Sequence, residues 1–586
     1  MKNKVVSAAI GTEPFELVIK NVNYVNLFTK EIYKADIGIA ENKIAHVTAP
    51  NENSLTGITE YEAQGKYALP GLIDSHVHIE SSMLNPSNFA RVVLPHGTTT
   101  IIADPHEIAN VMSVEGVNYM LKSSENIPLN TLMLAPSCVP SKLFVETGKS
   151  VFDGTKIDEM MSHPRVIGLG EVMDFQGVIN QSERMVDVLN TAKKYNKFIQ
   201  GHSPGVTGRE LSAYLASGCE SCHEAHTYEE AVEKLRAGMV LECRYSSSFK
   251  DILELSKAII EFNFPENVTL CTDDREADDL LEKGHIDEAI RAAIKSGIPP
   301  IEAIKMATIN SAKLGRITDR GSLKAGNIAD IVLVENLEKF IVDEVFVAGE
   351  LIAKGGKLIK DFKTPYSEIE KQNTIILKKK PTIDDFRINA DDRTGEAEIN
   401  AIGINTETFL FTKLQKTTAK INNGFLDLEN DKDLCTFVNF ERHGVNGNIS
   451  IAPAMDLGLT KGAIATTVSH DCHNLFVIGK SPEDMLLATN TLLETGGGIV
   501  CALDGKVKCL LELPIGGLMC DKSIEELAPK IDEIKIALKE FGVIGESPLL
   551  LTMFFALPVI PEVRLTDVGI VDVYTNKIIP IFANNF

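Results

Sequence analysis

The chain has 586 residues, 44% of them hydrophobic and 24% charged, with 58 basic against 81 acidic side chains and a formal net charge of −23. That length exceeds one ordinary domain and supplies enough apolar residues for a large core. The acidity argues against binding nucleic acid by phosphate neutralisation and against docking on an anionic membrane. The longest apolar run, Leu549 to Ile560, is too short to span a bilayer and is broken by Thr552 and Pro558. Glu13 and Glu16 come too early for a signal peptide, and the ten cysteines are too scattered for a disulfide framework. A cytoplasmic location is therefore expected.

Residues 1–68 read as short strands separated by Asn, Gly and Lys turn signals, among them Leu17–Ile19, Ala35–Ile39 and Lys43–Val47. The same texture returns over 321–378, in Asp330–Val334, Val345–Gly349 and Gly355–Ile359. A small β-sandwich domain built from both flanks is expected. Between them, 69–320 alternates strand-like runs with helical stretches. The runs are Tyr67–Asp74, Thr98–Asp104, Asn130–Ala135, Val166–Glu171, Phe198–His202, Gly218–His223, Met239–Arg244 and Val268–Asp273. Helices fit Met185–Tyr195, Gly208–Ala216, Glu229–Leu235 and Ser247–Phe262. Eight such units predict an α/β fold, a (β/α)8 TIM-like barrel, with an open doubly wound sheet as the alternative. No early G-x-G-x-x-G favours the latter. After a linker-like stretch from Lys378 to Thr394, residues 385–586 predict a C-terminal α+β domain with helices at Glu483–Leu493 and Ser523–Phe541.

The stretch Leu69–Ser82, LPGLIDSHVHIESS, carries His76 and His78 one residue apart. On a strand, such positions share a face about 7 Å apart and can converge on one cation; on a helix they would diverge. His-x-His alone also fits a polar loop. In a barrel, however, chemistry collects at the C-terminal strand ends. There the other runs deliver Glu171, His202, His223 and Asp273. Imidazoles and carboxylates without a thiolate suit a pair of divalent first-row ions. Glu171 can bridge two ions. Asp273 can orient a metal-bound water, take its proton and pass that proton to a leaving group.

These residues, with Cys222-His223-Glu224 and Thr272–Arg275, resemble the amidohydrolase superfamily. More narrowly the chain resembles the bacterial adenine deaminase family, through His78–Met83, Asp104–Ile108, His285–Asp287, Ser469–Asn474, Gly496–Gly498 and Leu513–Met519. The resemblance covers nearly the whole chain. It implies hydrolytic deamination of adenine to hypoxanthine and ammonia by a metal-activated hydroxide at a binuclear centre, in purine salvage. Another aminopurine or a cyclic amide is the alternative substrate. The implied metal ligands are His76, His78, Glu171, His202, His223 and Asp273, with Asp273, Glu171 and Glu80 catalytic. Glu80 is the candidate shuttle for the ring proton, or else a structural carboxyl. Two divalent ions are expected, Mn2+ first, Fe2+ or Zn2+ otherwise. Many superfamily members have a carboxylated lysine where this chain has Glu171. A homo-oligomer, dimer or tetramer, is also implied.

His106, His470, Asp471 and His473 form a possible additional site, for a further metal, for closing over substrate, or for structure. Arg244-Tyr245-Ser246-Ser247 departs from the Arg-Glu-Gly-Ser of the family at a strand end where substrate contacts are expected. Two other patterns are set aside. Cys219–His223 matches haem attachment but stands alone, and His78-Ile79-Glu80 matches H-x-E of the single-zinc deaminases without their P-C-x-x-C. The glycine triplet Gly496–Gly498 reads as a tight turn.

Overall fold

The computed structural model describes residues 3–365, 372–405, 411–545 and 547–583. Eight parallel strands appear where the periodicity places them: β1 (Leu72–His78), β2 (Thr98–Ala103), β3 (Asn130–Ala135), β4 (Val166–Val172), β5 (Phe198–Gly201), β6 (Ser221–Cys222), β7 (Val240–Arg244) and β8 (Val268–Cys271). β1 to β5 form one parallel ladder and β6 to β8 another. Two seams join them. At one, Glu220 N–H donates to Ile199 O at 2.9 Å. At the other, Asp273 and Asp274 pair in parallel with Val77 and His78. The circle therefore closes as a TIM-like barrel rather than an open sheet.

The second seam is held largely by side chains. Thr272 N–H and Oγ1 donate to the Asp74 carboxylate at 3.1 and 2.5 Å. Ser75 Oγ lies 2.9 Å from Thr269 Oγ1 and donates to Leu270 O at 3.0 Å. Polar residues inside β1 thus replace a backbone ladder, which explains why this strand is less apolar than its full burial would predict.

The first expected run, Tyr67–Asp74, is two strands. Tyr67–Pro70 pairs with Phe15–Asn26 and Ile331–Val334, and the chain enters the barrel after Gly71. A Cβ at Gly71 would collide with Thr99 Oγ1, so the junction requires glycine. Both flanks share one nine-stranded hydrogen-bonded sheet. Ile19, Ile37, Ile331 and Phe346 pack in one core beneath it, and Tyr61 meets Phe346 edge-on at 5.2 Å. The helix expected from Ser247 starts at Ile252. The preceding backbone is used otherwise: Ser247 N–H donates to Asp274 O at 2.9 Å, tying the end of β7 to the site.

Described strands from Glu396–Ile404 to Lys506–Glu512 form a second nine-stranded sheet, flanked by helices Pro482–Thr495 and Ile524–Phe541. It docks on the barrel through a continuous apolar core that includes Ile108 and Met112 of the barrel with Ile515 and Leu518. Lys535 pairs with Glu276 and Asp278 across the same junction at 3.0 and 2.6 Å. Among the described residues no helix is long and apolar enough to cross a membrane.

Candidate metal centre and its cavity

The six predicted side chains converge. His78 Nε2 lies 3.1 Å from Asp273 Oδ1 and 3.2 Å from Glu171 Oε1; His76 Nε2 lies 3.4 and 3.7 Å from the same two oxygens. The second Glu171 oxygen faces His202 Nδ1 at 2.5 Å and His223 Nε2 at 3.1 Å. The His76 and His223 rings stack at 4.0 Å. Glu171 therefore divides the group into two halves, one around His76, His78 and Asp273 and one around His202 and His223.

Neighbouring groups set the tautomers. The Gln200 amide nitrogen donates to Glu242 at 2.9 Å, so its oxygen accepts from His76 Nδ1–H at 2.8 Å. His78 Nδ1–H donates to Asp104 O at 3.0 Å. Both rings thus turn Nε2 toward Asp273 and Glu171, where it can take either a proton or a cation. His76 Nε2 is buried without a hydrogen-bond partner among the described residues. The donor set and this orphaned nitrogen fit divalent ions, and the same side chains fall into groups close enough to share one.

The charges fit as well. Burial alone would raise the Glu171 carboxyl, but His223 and His202 hold it well below the usual range. Burial also opposes Asp273, which His76, His78 and Arg244 hold low. Against its burial, His78 is raised well above an ordinary imidazole by Asp273 and Glu171. The carboxylates draw positive charge into a dry centre, which is the electrostatic demand that a cation satisfies.

Asp273 has a left-handed backbone, φ 56°, a conformation that aspartate tolerates better than most residues. It comes just after the break between β8 and the short pairing with β1. Arg244, at the end of β7, donates from Nη1 to Asp273 Oδ2 at 2.8 Å and from Nε to Asp251 Oδ2 at 2.8 Å, and pairs with Glu224. One Asp273 oxygen is thereby tied to the guanidinium while the other faces the histidines.

A cavity of about 660 Å³ opens over this cluster. The barrel wall contributes His78, His106, Glu171, His202, His223 and Asp273, and Phe554, Leu557, Val559 and Ile560 line it from the C-terminal part. Neither Tyr245 nor Ser246 is among the described lining residues. Tyr245 packs instead under Lys250, whose Nζ lies 4.1 Å from the ring centre, so the departure at this strand end does not face the cavity.

Glu80 is likewise not among the lining residues. The turn Ile79–Ser82 carries the chain away from β1, and Glu80 Oε1 accepts the Ile108 N–H at 3.3 Å. Burial, reinforced by Glu107, pushes its carboxyl up to about 7. His106 does reach the centre, its Nδ1 3.6 Å from Glu171 Oε1 and its Nε2 3.4 Å from Glu107 Oε1 and 3.8 Å from Asp471 Oδ1. His470 and His473 meet on Glu107, which pairs with His470 Nδ1 at 2.7 Å and with His473 Nε2. Glu107, His470 and His473 form a further group close enough to share an ion. Glu107 and Arg244 stand in motifs quoted from the sequence but carry no role there, and Gln200 is in none of them. Gln200 had a signal: it lies two residues before His202 and so shares its face of β5.

Two family models match the chain: the amidohydrolase family over residues 67–352 and the adenine deaminase C-terminal domain over 409–577. "Adenine deaminase 2" of Carboxydothermus hydrogenoformans is 39% identical over 578 residues, covering 98% of each chain. The adenine deaminase of Clostridium acetobutylicum is 39% identical, with 98% of each chain covered. Among solved structures, a β-aspartyl dipeptidase from Fervidobacterium islandicum AW-1 is 20% identical with a TM-score of 0.45, covering 59% of this chain and 99% of its own. With relatives at this identity matched end to end, the chain belongs to the adenine deaminase family.

Proposed function

We propose that the chain hydrolyses adenine to hypoxanthine and ammonia. His76, His78, Glu171, His202, His223 and Asp273 hold two divalent ions, manganese by preference and iron or zinc otherwise. The observation that carries this reading is the convergence of these side chains, with inward-facing nitrogens, beneath a cavity in a member of this family. Bound there, the ions would supply Lewis acidity and lower the pKa of water toward neutrality.

The residues divide the remaining work. Asp273 Oδ1, steered by Arg244 on Oδ2, takes a proton from the attacking water and returns it to the departing amine. Glu171 presents one oxygen to each half of the centre. Glu80, buried behind the cavity wall with its carboxyl pushed up to about 7, is the candidate source of the proton that the ring nitrogen takes, and the remaining proton of the attacking water restores it. The apolar roof Phe554–Ile560 keeps bulk water from the reacting carbon and accepts a flat base.

On this reading, residues 69–320 form the catalytic barrel, 1–68 with 321–378 a supporting β domain built on the shared sheet rather than the expected sandwich of two, and 385–586 the α+β cover. The protein acts in purine salvage in the cytoplasm, as a homodimer or homotetramer. The decisive experiment measures ammonia released from a purine panel by chelated, manganese-reloaded protein, with metal analysis on the same sample. Adenine is expected as the best substrate with two ions per chain. No ammonia from adenine would end the proposal.

A further inference from the structure

The turn between strands Ala463–Thr466 and Leu475–Gly479 of the C-terminal sheet carries His470 to the cavity wall. It is held there on three sides. Its backbone N–H donates to Met553 O at 2.9 Å, its ring stacks on Phe554 at 4.5 Å and 16°, and its Nδ1–H donates to Glu107 Oε1 at 2.7 Å. A ring fixed through Nδ1 and one face keeps its Nε2 edge for something else. Among the described residues Nε2 has no hydrogen-bond partner, and the cavity is what His470 borders.

A further cation held by Glu107, His470 and His473 is the competing use of this cluster. The Ser469 N–H donates to His473 Nδ1 at 3.0 Å, so the neutral His473 ring carries its proton on Nε2 and donates it to Glu107. A ring so engaged has no lone pair left for an ion. Glu107 is instead a carboxylate receiving two N–H donors, one from each histidine.

Resting on the reading of the cavity as an adenine site, we propose that His470 is a substrate-contacting residue, its Nε2–H donating to a ring nitrogen of the purine. Adenine offers three ring acceptors, N1, N3 and N7, and a well-placed donor discriminates sharply among analogues that lack one. The protonated form suits this role: burial opposes it, but Glu107, Asp274 and Asp471 hold the His470 proton up to about 9. The C-terminal part of the chain would then select substrate as well as cover it.

The test uses manganese-loaded holoenzyme and measures binding of adenine and of 1-deaza-, 3-deaza- and 7-deazaadenine, with KM and kcat for adenine. His470→Ala is expected to weaken adenine binding about ten- to a hundredfold, raising KM more than it lowers kcat. One deaza analogue should already bind wild type that much more weakly and lose nothing further in His470→Ala. Equal losses for adenine and all three analogues would overturn the proposal, as would loss of a third bound ion on mutation. Should His470→Ala fail to fold, the wild-type series still decides: three analogues binding as tightly as adenine would refute a ring-nitrogen contact. Failure of wild type to release ammonia counts against the deaminase reading, while the binding series judges His470 separately.

Discussion

Two buried clusters of histidine and carboxylate adjoin one cavity and differ in what stands behind the rings. At the barrel rim, Gln200 and the Asp104 carbonyl take the outer nitrogens of His76 and His78, and the inner nitrogens face Asp273 and Glu171. At the domain junction, the Ser469 N–H occupies Nδ1 of His473, and the opposite nitrogen becomes a donor to Glu107. The same residue types make a cluster able to hold a cation in one place and a hydrogen-bonded clasp in the other. A single outer hydrogen bond, donor or acceptor, decides which.

Asp273→Asn gives the largest expected effect. Turnover should fall about a thousandfold, with the melting temperature largely kept. Near-normal turnover would remove Asp273 from proton transfer. Gln200→Leu attacks the outer hydrogen bond of the rim and should weaken metal binding about ten- to a hundredfold, read by competition with a chelating dye. Unchanged affinity would mean that His76 needs no tautomer partner.

His473→Asn sharpens the contrast from the other side. It should cost about 1–3 kcal/mol of stability by leaving Glu107 short of a donor, with the metal count per chain unchanged. A count that drops by one would make the clasp a metal site after all.

The smallest effect concerns Glu146, behind the clasp. Ser141 Oγ donates to its carboxyl, as does the Lys142 N–H at 3.1 Å. Burial pushes that carboxyl from 4.5 up to about 7. The folded state keeps a proton that the unfolded chain has already lost, so the stability this contributes is full below about pH 4.5 and disappears as pH rises through 7. Glu146→Gln should flatten that loss and be about 2 kcal/mol more stable than wild type at pH 8. Calorimetric scans at pH 5 and 8 that show the same difference between the two proteins would contradict it.

Periodicity alone located the eight barrel strands, because a buried strand bounded by turns is a local pattern. The six rim residues were legible for a related reason: a barrel puts every strand's C-terminal end at one mouth, so position along a strand stands in for position in space. Local pattern could not divide Tyr67–Asp74 at Gly71, since the division depends on Thr99 from the next strand and on Ile331–Val334 far down the chain. Nor could it separate Glu80, turned behind the wall, from Glu107, turned into it.

The sequence by itself determined the barrel, the six side chains that meet at its rim and the family, since each is written in residue type and spacing. Only the tertiary structure decided the tautomers, the pairing of Arg244 with Asp273, and the meeting of His470 and His473 with a glutamate more than 360 positions away. Those depend on which donor faces which acceptor after packing, and hydrogen-bond direction leaves no trace in composition or period.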